Sequence, residues 1–321
     1  MAQPLDLTLG LSEISRTRAL FDGTVRPAGV NLTCRSRFSE GLDNTGARHR
    51  WILDGKIPGG ECSTSSFVLA HSRSARLKIL PVFIARAFRH RCMFCPTGSS
   101  MHDPSDLRGR RVTVHRYNAT TSVWVRGLIQ NEYGVRPEEM DWYVAESDVG
   151  EEARRSLPEG VRVRFIDPPR TREHAIQLVE EEKIDAALEP YPSLAEHPRL
   201  RRLLADHRRE EAGYFHKRRV IPIIHSLVLR QEVVDQNPWV AGSLLKAFRE
   251  ARALAGRYMN EEQRQEETWY SEVIGEDPYS YRLDTCARNS LETLIEYQMQ
   301  QQLLDRRPKG EELFFPDSLE L

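Results

Sequence analysis

Arg110-Arg-Val-Thr-Val-His-Arg-Tyr-Asn-Ala-Thr-Thr-Ser-Val-Trp-Val-Arg-Gly127 joins a strand to a helix through a hydroxyl-rich turn. Arg111 to His115 alternates β-branched residues with others, which suits a strand. Val123, Trp124, Leu128 and Ile129 then recur at helical spacing, and Thr120, Thr121 and Ser122 stand where that helix starts. The first N–H groups of a helix have no internal partner and lie at the positive end of its dipole, so this junction predicts an anion site. A plain N-cap is the competing reading. His115, Arg116 and Tyr117 in the same turn favour the ligand.

Outward from this junction, strands alternate with helices. Leu5–Leu11 alternates as a strand, a loop with Arg16 and Arg18 follows, and Thr17–Phe21 starts a helix. Val25 to Leu32 leads into a second strand, and Asn44–Leu53 is helical in pattern. Gly60-Glu-Cys-Ser-Thr-Ser-Ser66 reads as a second hydroxyl-rich turn before an apolar helix. Leu77–Ala87, Arg91–Phe94, Asp141–Val144, Val161–Ile166 and Lys183–Leu188 read as strands, and Thr171–Glu181 as a helix. Gly134 caps the helix that begins at Thr120. Val220–Leu229 is apolar but contains Pro222, which predicts an edge or crossing segment rather than a central strand. Asn237-Pro-Trp opens a run of helices at Val240–Tyr258, Glu261–Val273 and Arg288–Gln302. Trp124 and Trp239, at helical spacing, are expected in the core rather than as stacking platforms.

Alternation of this kind predicts an α/β fold with mostly parallel sheets flanked by helices. Candidate crossings between two lobes lie near Ala85–Arg91 and Tyr214–His225. One lobe would hold 1–87 and 226–321 and the other 88–215, with 216–225 as the second hinge crossing. Ligands in such folds sit beyond strand C-terminal ends, in the crevice between lobes.

Composition excludes several classes. Apolar residues make up 40% and charged residues 29% of 321, which builds a core rather than a disordered chain. A net charge of −1 gives no pull toward nucleic acid or anionic membrane. Arg199–Arg202 and His216–Arg219 read as solvated basic faces. No apolar run approaches the ~20 residues of a membrane span and no secretion signal is visible. Five cysteines, an odd number, predict reduced thiols and a cytoplasmic protein. Cys92-Met-Phe-Cys95 lacks a second pair to complete a zinc site, so two buried thiols in a strand is the preferred reading.

Matching blocks run along most of the chain: Ser15-Arg-Thr-Arg-Ala-Leu with Gly29-Val, Glu61-Cys-Ser-Thr-Ser-Ser and Phe88-Arg-His. They continue as Asp106-Leu-Arg-Gly-Arg-Arg-Val, Tyr117, Thr120, Trp124-Val-Arg-Gly-Leu, Glu132-Tyr-Gly-Val and Lys183-Ile-Asp-Ala. Ile221-Pro-Ile-Ile-His, Asn237-Pro-Trp-Val and Ala247-Phe complete the series. In their order these blocks resemble the 4,5-dihydroxyphthalate decarboxylase family. The resemblance implies the two-lobed fold of type 2 periplasmic binding proteins, shared with solute receptors and with enzymes making the thiamine pyrimidine. Where the family usually shows Pro-Glu-Tyr-Gln-Met-Thr, this chain has His115-Arg-Tyr-Asn-Ala-Thr120, which predicts a different ring or ligand charge.

Loss of CO2 from an aromatic carboxylate leaves an aryl anion unless the ring carbon is protonated first. A hydroxyl ortho or para to the carboxylate makes that carbon basic. The site then needs carboxylate clamps, a base for the phenol proton and an acid for carbon. His90 and His225 are the expected proton-transfer pair, with Glu61 orienting one of them. Arg16 and Arg89 are the expected clamps. Thr17, Ser63, Ser65, Tyr117, Thr120 and Thr121 would offer hydroxyls or helix-end N–H groups, and His115 an extra contact. Expected partners are a small anionic aromatic substrate, no nucleic acid and no membrane, with self-association into a homo-oligomer left open. No cofactor and no metal is expected. Two alternatives stay open: a non-catalytic binding protein for a small anionic ligand, and a metal-dependent decarboxylase using His90, His225, His115 and Glu61.

Overall fold

The structure is a computed structural model, and residues 3–36, 45–145 and 157–318 are described. The chain divides into two compact units. Unit 1 takes 1–87, 219–292 and 308–321, and unit 2 takes 88–218 and 293–307. The helix Thr285–Gln300 supplies residues to both.

Unit 1 is built on the strands β1 (Leu5–Gly10), β2 (Val30–Arg35), β3 (Gly59–Ser63), β4 (Leu77–Ile79) and β5 (Ala85–Arg86). Unit 2 carries β6 (Met93–Pro96), β7 (Arg111–Val114), β8 (Asp141–Val144), β9 (Arg162–Phe165), β10 (Ala186–Leu188) and β11 (Leu200–Arg202). The chain then returns to unit 1 as β12 (Ile223–Arg230). The sheet of unit 1 runs β2-β1-β3-β12-β4 with β5 on β12, and that of unit 2 runs β11-β6-β10-β7-β8-β9. Parallel pairing holds within β2-β1-β3 and within β10-β7-β8-β9. It gives way to antiparallel pairing wherever β12 or β6 takes part, so both sheets are mixed.

The expectation for Val220–Leu229 is corrected. β12 is a central strand that bonds to β3, β4 and β5. Pro222 sits just before it, so its missing N–H breaks no ladder bond, and its carbonyl accepts from the Ala87 N–H at 3.1 Å. Gly60-Glu-Cys-Ser63 is also not a turn. It lies in β3, and the helix Thr64–Ser72 follows directly with Ser63 as its cap. β3 approaches β1 closely because two glycines oppose each other. Gly60 has φ +145°, and a Cβ there would sit 2.2 Å from the Gly10 carbonyl oxygen. Leu77–Ala87 breaks into β4 and β5 rather than running as one strand.

The core of unit 1 gathers Leu7, Leu9 and Leu11 with Leu227 and Leu229, covered by Leu244, Leu245 and Phe248 of the helix Val240–Ala253. Arg86, in β5, is buried and fully engaged: it donates to the carbonyls of Ile221 and Pro278 and to Ser290 Oγ. A separate cluster in unit 2 packs Ile176 and Val179 of the helix Arg172–Glu180 against Ala145, Ile166, Ile184 and Ala187.

Of the two basic clusters, His216–Arg219 is a solvated face as expected, whereas the other is partly built into the sheet. Leu200–Arg202 is the edge strand β11, where Arg202 donates to the Arg91 carbonyl at 2.6 Å. Lys217 and Arg218 end the helix His207–Arg218 and both pair with Glu132. Trp124 is buried as expected, but Trp239 is 47% exposed, with its ring edge over Gly29.

Candidate active site

In unit 1 the site is set by strand register. β3 and β12 run antiparallel with His225 opposite Ser63 and Leu227 opposite Glu61. All four side chains therefore share one face, and Glu61 and His225 are diagonal neighbours within reach of each other. Glu61 is buried, and its Oε1 lies 2.6 Å from His225 Nδ1. Its Oε2 accepts the Ser12 backbone N–H at 2.7 Å. The same carboxylate thus fixes an imidazole and the start of the loop that leaves β1. His225 also meets His49 edge to face, with ring centroids 4.8 Å apart.

The loop after β1 is folded around Thr17. The Thr17 hydroxyl donates to the Ser12 carbonyl and accepts the Ile14 N–H at 3.1 Å. Thr17 is fully buried, so its hydroxyl shapes the loop from within. Arg16, beside it, lies 3.7 Å over the Tyr279 ring and donates through Nη2 to the Ile84 carbonyl at 3.1 Å. Its Nε is buried with no hydrogen-bond partner. Burial opposes its charge, but the fields of Tyr279, Tyr281, Glu267 and Glu61 together raise its pKa. Ser63 caps the next helix and accepts from the Ser66 N–H and hydroxyl. Ser65 is buried in the first turn of that helix.

Unit 2 holds the other expected residues. Arg89 is buried and reaches Cys92 Sγ at 3.7 Å, while its Nε has no partner. His90 is buried against Tyr214 with centroids 5.3 Å apart, and its Nδ1 has no partner. Burial, with help from Arg91 and His207, lowers its pKa to about 3, so the ring is neutral near neutral pH. Cys92 and Cys95 are free, buried thiols. No hydroxyl caps the helix Thr120–Tyr133; its N-cap is Ala119, and Thr120 and Thr121 are its first residues. Tyr117 is buried between the Arg126 guanidinium, 3.7 Å over its ring, and the edge of Trp142.

His115 leaves β7 beside this helix start. Burial first, then Arg172 and Arg116, lower its pKa to about 3. A residue that pattern reading passed over stands on the neighbouring strand. Glu189 follows β10, is 1% exposed, and accepts from Arg172 Nε at 3.0 Å. Its signal is an acid closing the short apolar run Ala186–Leu188.

Glu61, His225, Arg16, Thr17, Ser63 and Ser65 therefore belong to unit 1. His90, Arg89, His115, Tyr117, Thr120 and Thr121 belong to unit 2, where Arg89 and His90 lie before β6 and the rest after β7. Among the described residues, no group of three or more His, Cys, Asp or Glu side chains is placed to hold a metal ion. No helix among them is long and apolar enough to cross a membrane.

No family model matches the chain. A 4,5-dihydroxyphthalate decarboxylase of Comamonas testosteroni is 29% identical over 332 residues, covering 98% of this chain and 98% of that protein. A 4,5-dihydroxyphthalate decarboxylase of Pseudomonas putida is 29% identical over 138 residues, 43% of this chain and 52% of that protein. Among solved structures, the alkanesulfonate-binding protein of Xanthomonas axonopodis pv. citri superposes with a TM-score of 0.59 at 13% identity, covering 98% of this chain and 99% of that one. The resemblance read from the sequence blocks holds: along nearly its whole length the chain is similar to the 4,5-dihydroxyphthalate decarboxylase of Comamonas testosteroni, and its fold is that of the periplasmic binding proteins.

Proposed function

We propose that this protein is a carboxy-lyase that removes CO2 from a hydroxylated aromatic carboxylate such as 4,5-dihydroxyphthalate, without a cofactor, by protonating the ring carbon. The observation that carries the reading is the Glu61–His225 pair on adjacent strands. A carboxylate on Nδ1 orients the imidazole and favours the tautomer whose Nε2 is free to move a proton. The name of the Comamonas relative, matched end to end, supports the substrate class.

A hydroxyl para to the carboxylate pushes electrons onto the ring carbon that bears it. That carbon takes a proton, the bond to the carboxylate breaks, and its electron pair restores the aromatic ring. His225 is the proton carrier in this scheme. Arg16 grips a carboxylate oxygen through its unpartnered Nε, which suits the planar guanidinium fork. A cytoplasmic location is in keeping with the five free thiols.

The test is direct: incubate the protein with hydroxylated benzoates and phthalates, with and without chelator, and measure CO2. Release from a ring with a hydroxyl ortho or para to a carboxylate, undiminished by chelator, is the expected outcome. Binding of these acids with no CO2 from any of them would replace the enzyme by a receptor. Loss of activity on chelation, restored by a divalent metal, would replace the mechanism by a metal-assisted one.

A further inference from the structure

Among the described residues, two parallel strands of unit 2 end on buried polar atoms that have no hydrogen-bond partner. β7 and β10 are neighbours, with Val112 beside Ala186 and Thr113 beside Ala187. Carried on, that register brings His115 and Glu189 together as the two strands leave the sheet. Glu189 is buried; Arg172 takes its Oε2, and its Oε1 has no hydrogen-bond partner. Nδ1 of His115 is likewise buried and unpartnered. Buried polar atoms are nearly always paired, so two open ones side by side are a sign of a missing ligand. Their place fits, since α/β proteins take ligands beyond the C-terminal ends of parallel strands.

The chemistry of the open atoms selects the ligand group. A carboxylate oxygen repels anions and accepts hydrogen bonds, so it asks for a donor. Arg172 is already engaged, by Glu189 on one side and by the Tyr191 ring 4.2 Å away on the other. A neutral imidazole adds one donor and one acceptor, which matches a second hydroxyl better than a second carboxylate. We infer that Glu189, held by Arg172 and flanked by His115, recognises ligand hydroxyls by accepting the O–H of a phenol. The inference rests on the hydroxylated aromatic substrate proposed above and assigns the residue that reads its hydroxyls.

The groups facing Glu189 give the site a pH signature. Burial, assisted by Glu173, raises its pKa to about 7 against the pull of Arg172 and the His115 backbone N–H. Above that pH the carboxylate is a strong acceptor, and below it the neutral acid is a weaker one. His115, with its pKa lowered to about 3 beside Arg172 and Arg116, does not titrate in that range.

Catechol is the probe, because it carries the hydroxyls and no carboxylate. Calorimetric titration of the full-length protein between about pH 5.5 and 8.5 should show affinity rising about tenfold through neutrality. Glu189→Gln should bind catechol about tenfold more weakly at the upper pH, with no rise through neutrality. Arg172→Gln should move the midpoint upward, because a cation that favours the carboxylate is gone. Phthalate, which has no hydroxyl to donate, should bind Glu189→Gln at least as well as wild type. Should Glu189→Gln not fold, Glu189→Asp keeps the titrating group and should keep the pH dependence at reduced affinity. Absence of catechol binding, equal binding by wild type and Glu189→Gln, or a rise through neutrality that survives in Glu189→Gln would each overturn the inference. CO2 release with an unchanged KM in Glu189→Gln would sink this inference alone. Absence of CO2 from every substrate would sink the enzyme reading instead.

Discussion

Glu61→Gln isolates the role of the buried carboxylate while keeping its size. Glu61's partners include the Ser12 N–H, which can only donate, and His225 Nδ1. A carboxylate accepts from both. An amide has one oxygen and one NH2, so one partner meets a donor. If the amide oxygen stays on Ser12, its NH2 faces His225 Nδ1, and the ring must move its proton to Nε2. His225 then no longer has a free Nε2 to accept a proton. With Glu61 only 2% exposed, water has little room to relieve the mismatch. A positioned general acid–base contributes about 10²- to 10⁴-fold, or roughly 2.7 to 5.5 kcal/mol of barrier, so kcat should fall by that factor. KM should stay within about threefold, because no substrate contact is removed. Folding stability should drop by only about 1–3 kcal/mol, the cost of one unsatisfied buried group. The assay is CO2 release for kcat and KM, with nitrogen NMR of the imidazoles for the tautomer. A variant with kcat within about threefold of wild type would refute the reasoning, and so would a full loss of kcat with the His225 tautomer unchanged.

Three further outcomes are expected. Arg16→Ala should raise KM for aromatic carboxylates about 10- to 100-fold through loss of a charge-assisted contact, with little change in kcat; an effect on kcat alone would argue against a clamp. Gly60→Ala should lower stability in urea by more than about 3 kcal/mol, because its Cβ would meet the Gly10 backbone at 2.2 Å; a loss under about 1 kcal/mol would mean that the strands can separate without penalty. His90 titrates near pH 3 when folded against an ordinary 6.5, so the unfolded chain binds the extra proton between those values and stability is lost as pH falls. His90→Phe keeps the packing on Tyr214 without the titration, and should gain on wild type by about 1.4 kcal/mol per pH unit through that window; a pH-independent difference would contradict a buried neutral ring.

Much of this architecture is legible from residue patterns. The alternation in Leu5–Gly10 and Asp141–Val144 and the helical spacing after Thr120 mark their elements well, because those signals are local. β12 is not legible: Pro222 argues against a central strand, and only the structure shows that it precedes the first ladder bond. Glu61 and His225 could be suspected from residue type alone. Their pairing spans 164 positions and depends on which strands become neighbours, and no local spacing encodes that. Thr17 looked like a ligand contact because hydroxyls near a helix start often are, whereas its bonds to Ser12 and Ile14 turn it inward. Glu189 escaped notice because one acid after an apolar run resembles an ordinary strand end, and its burial comes from neighbours far along the chain.

The late return of the chain to its first sheet has a consequence for synthesis. When residues 1–87 have emerged, β3 has no β12 beside it and Glu61 has no imidazole to hold. Residues 88–218 must be made before His225 exists, so the Glu61–His225 pair can be assembled only after the inserted unit has been almost entirely translated. Any ribosome-bound fragment ending before 225 therefore lacks the Glu61–His225 contact.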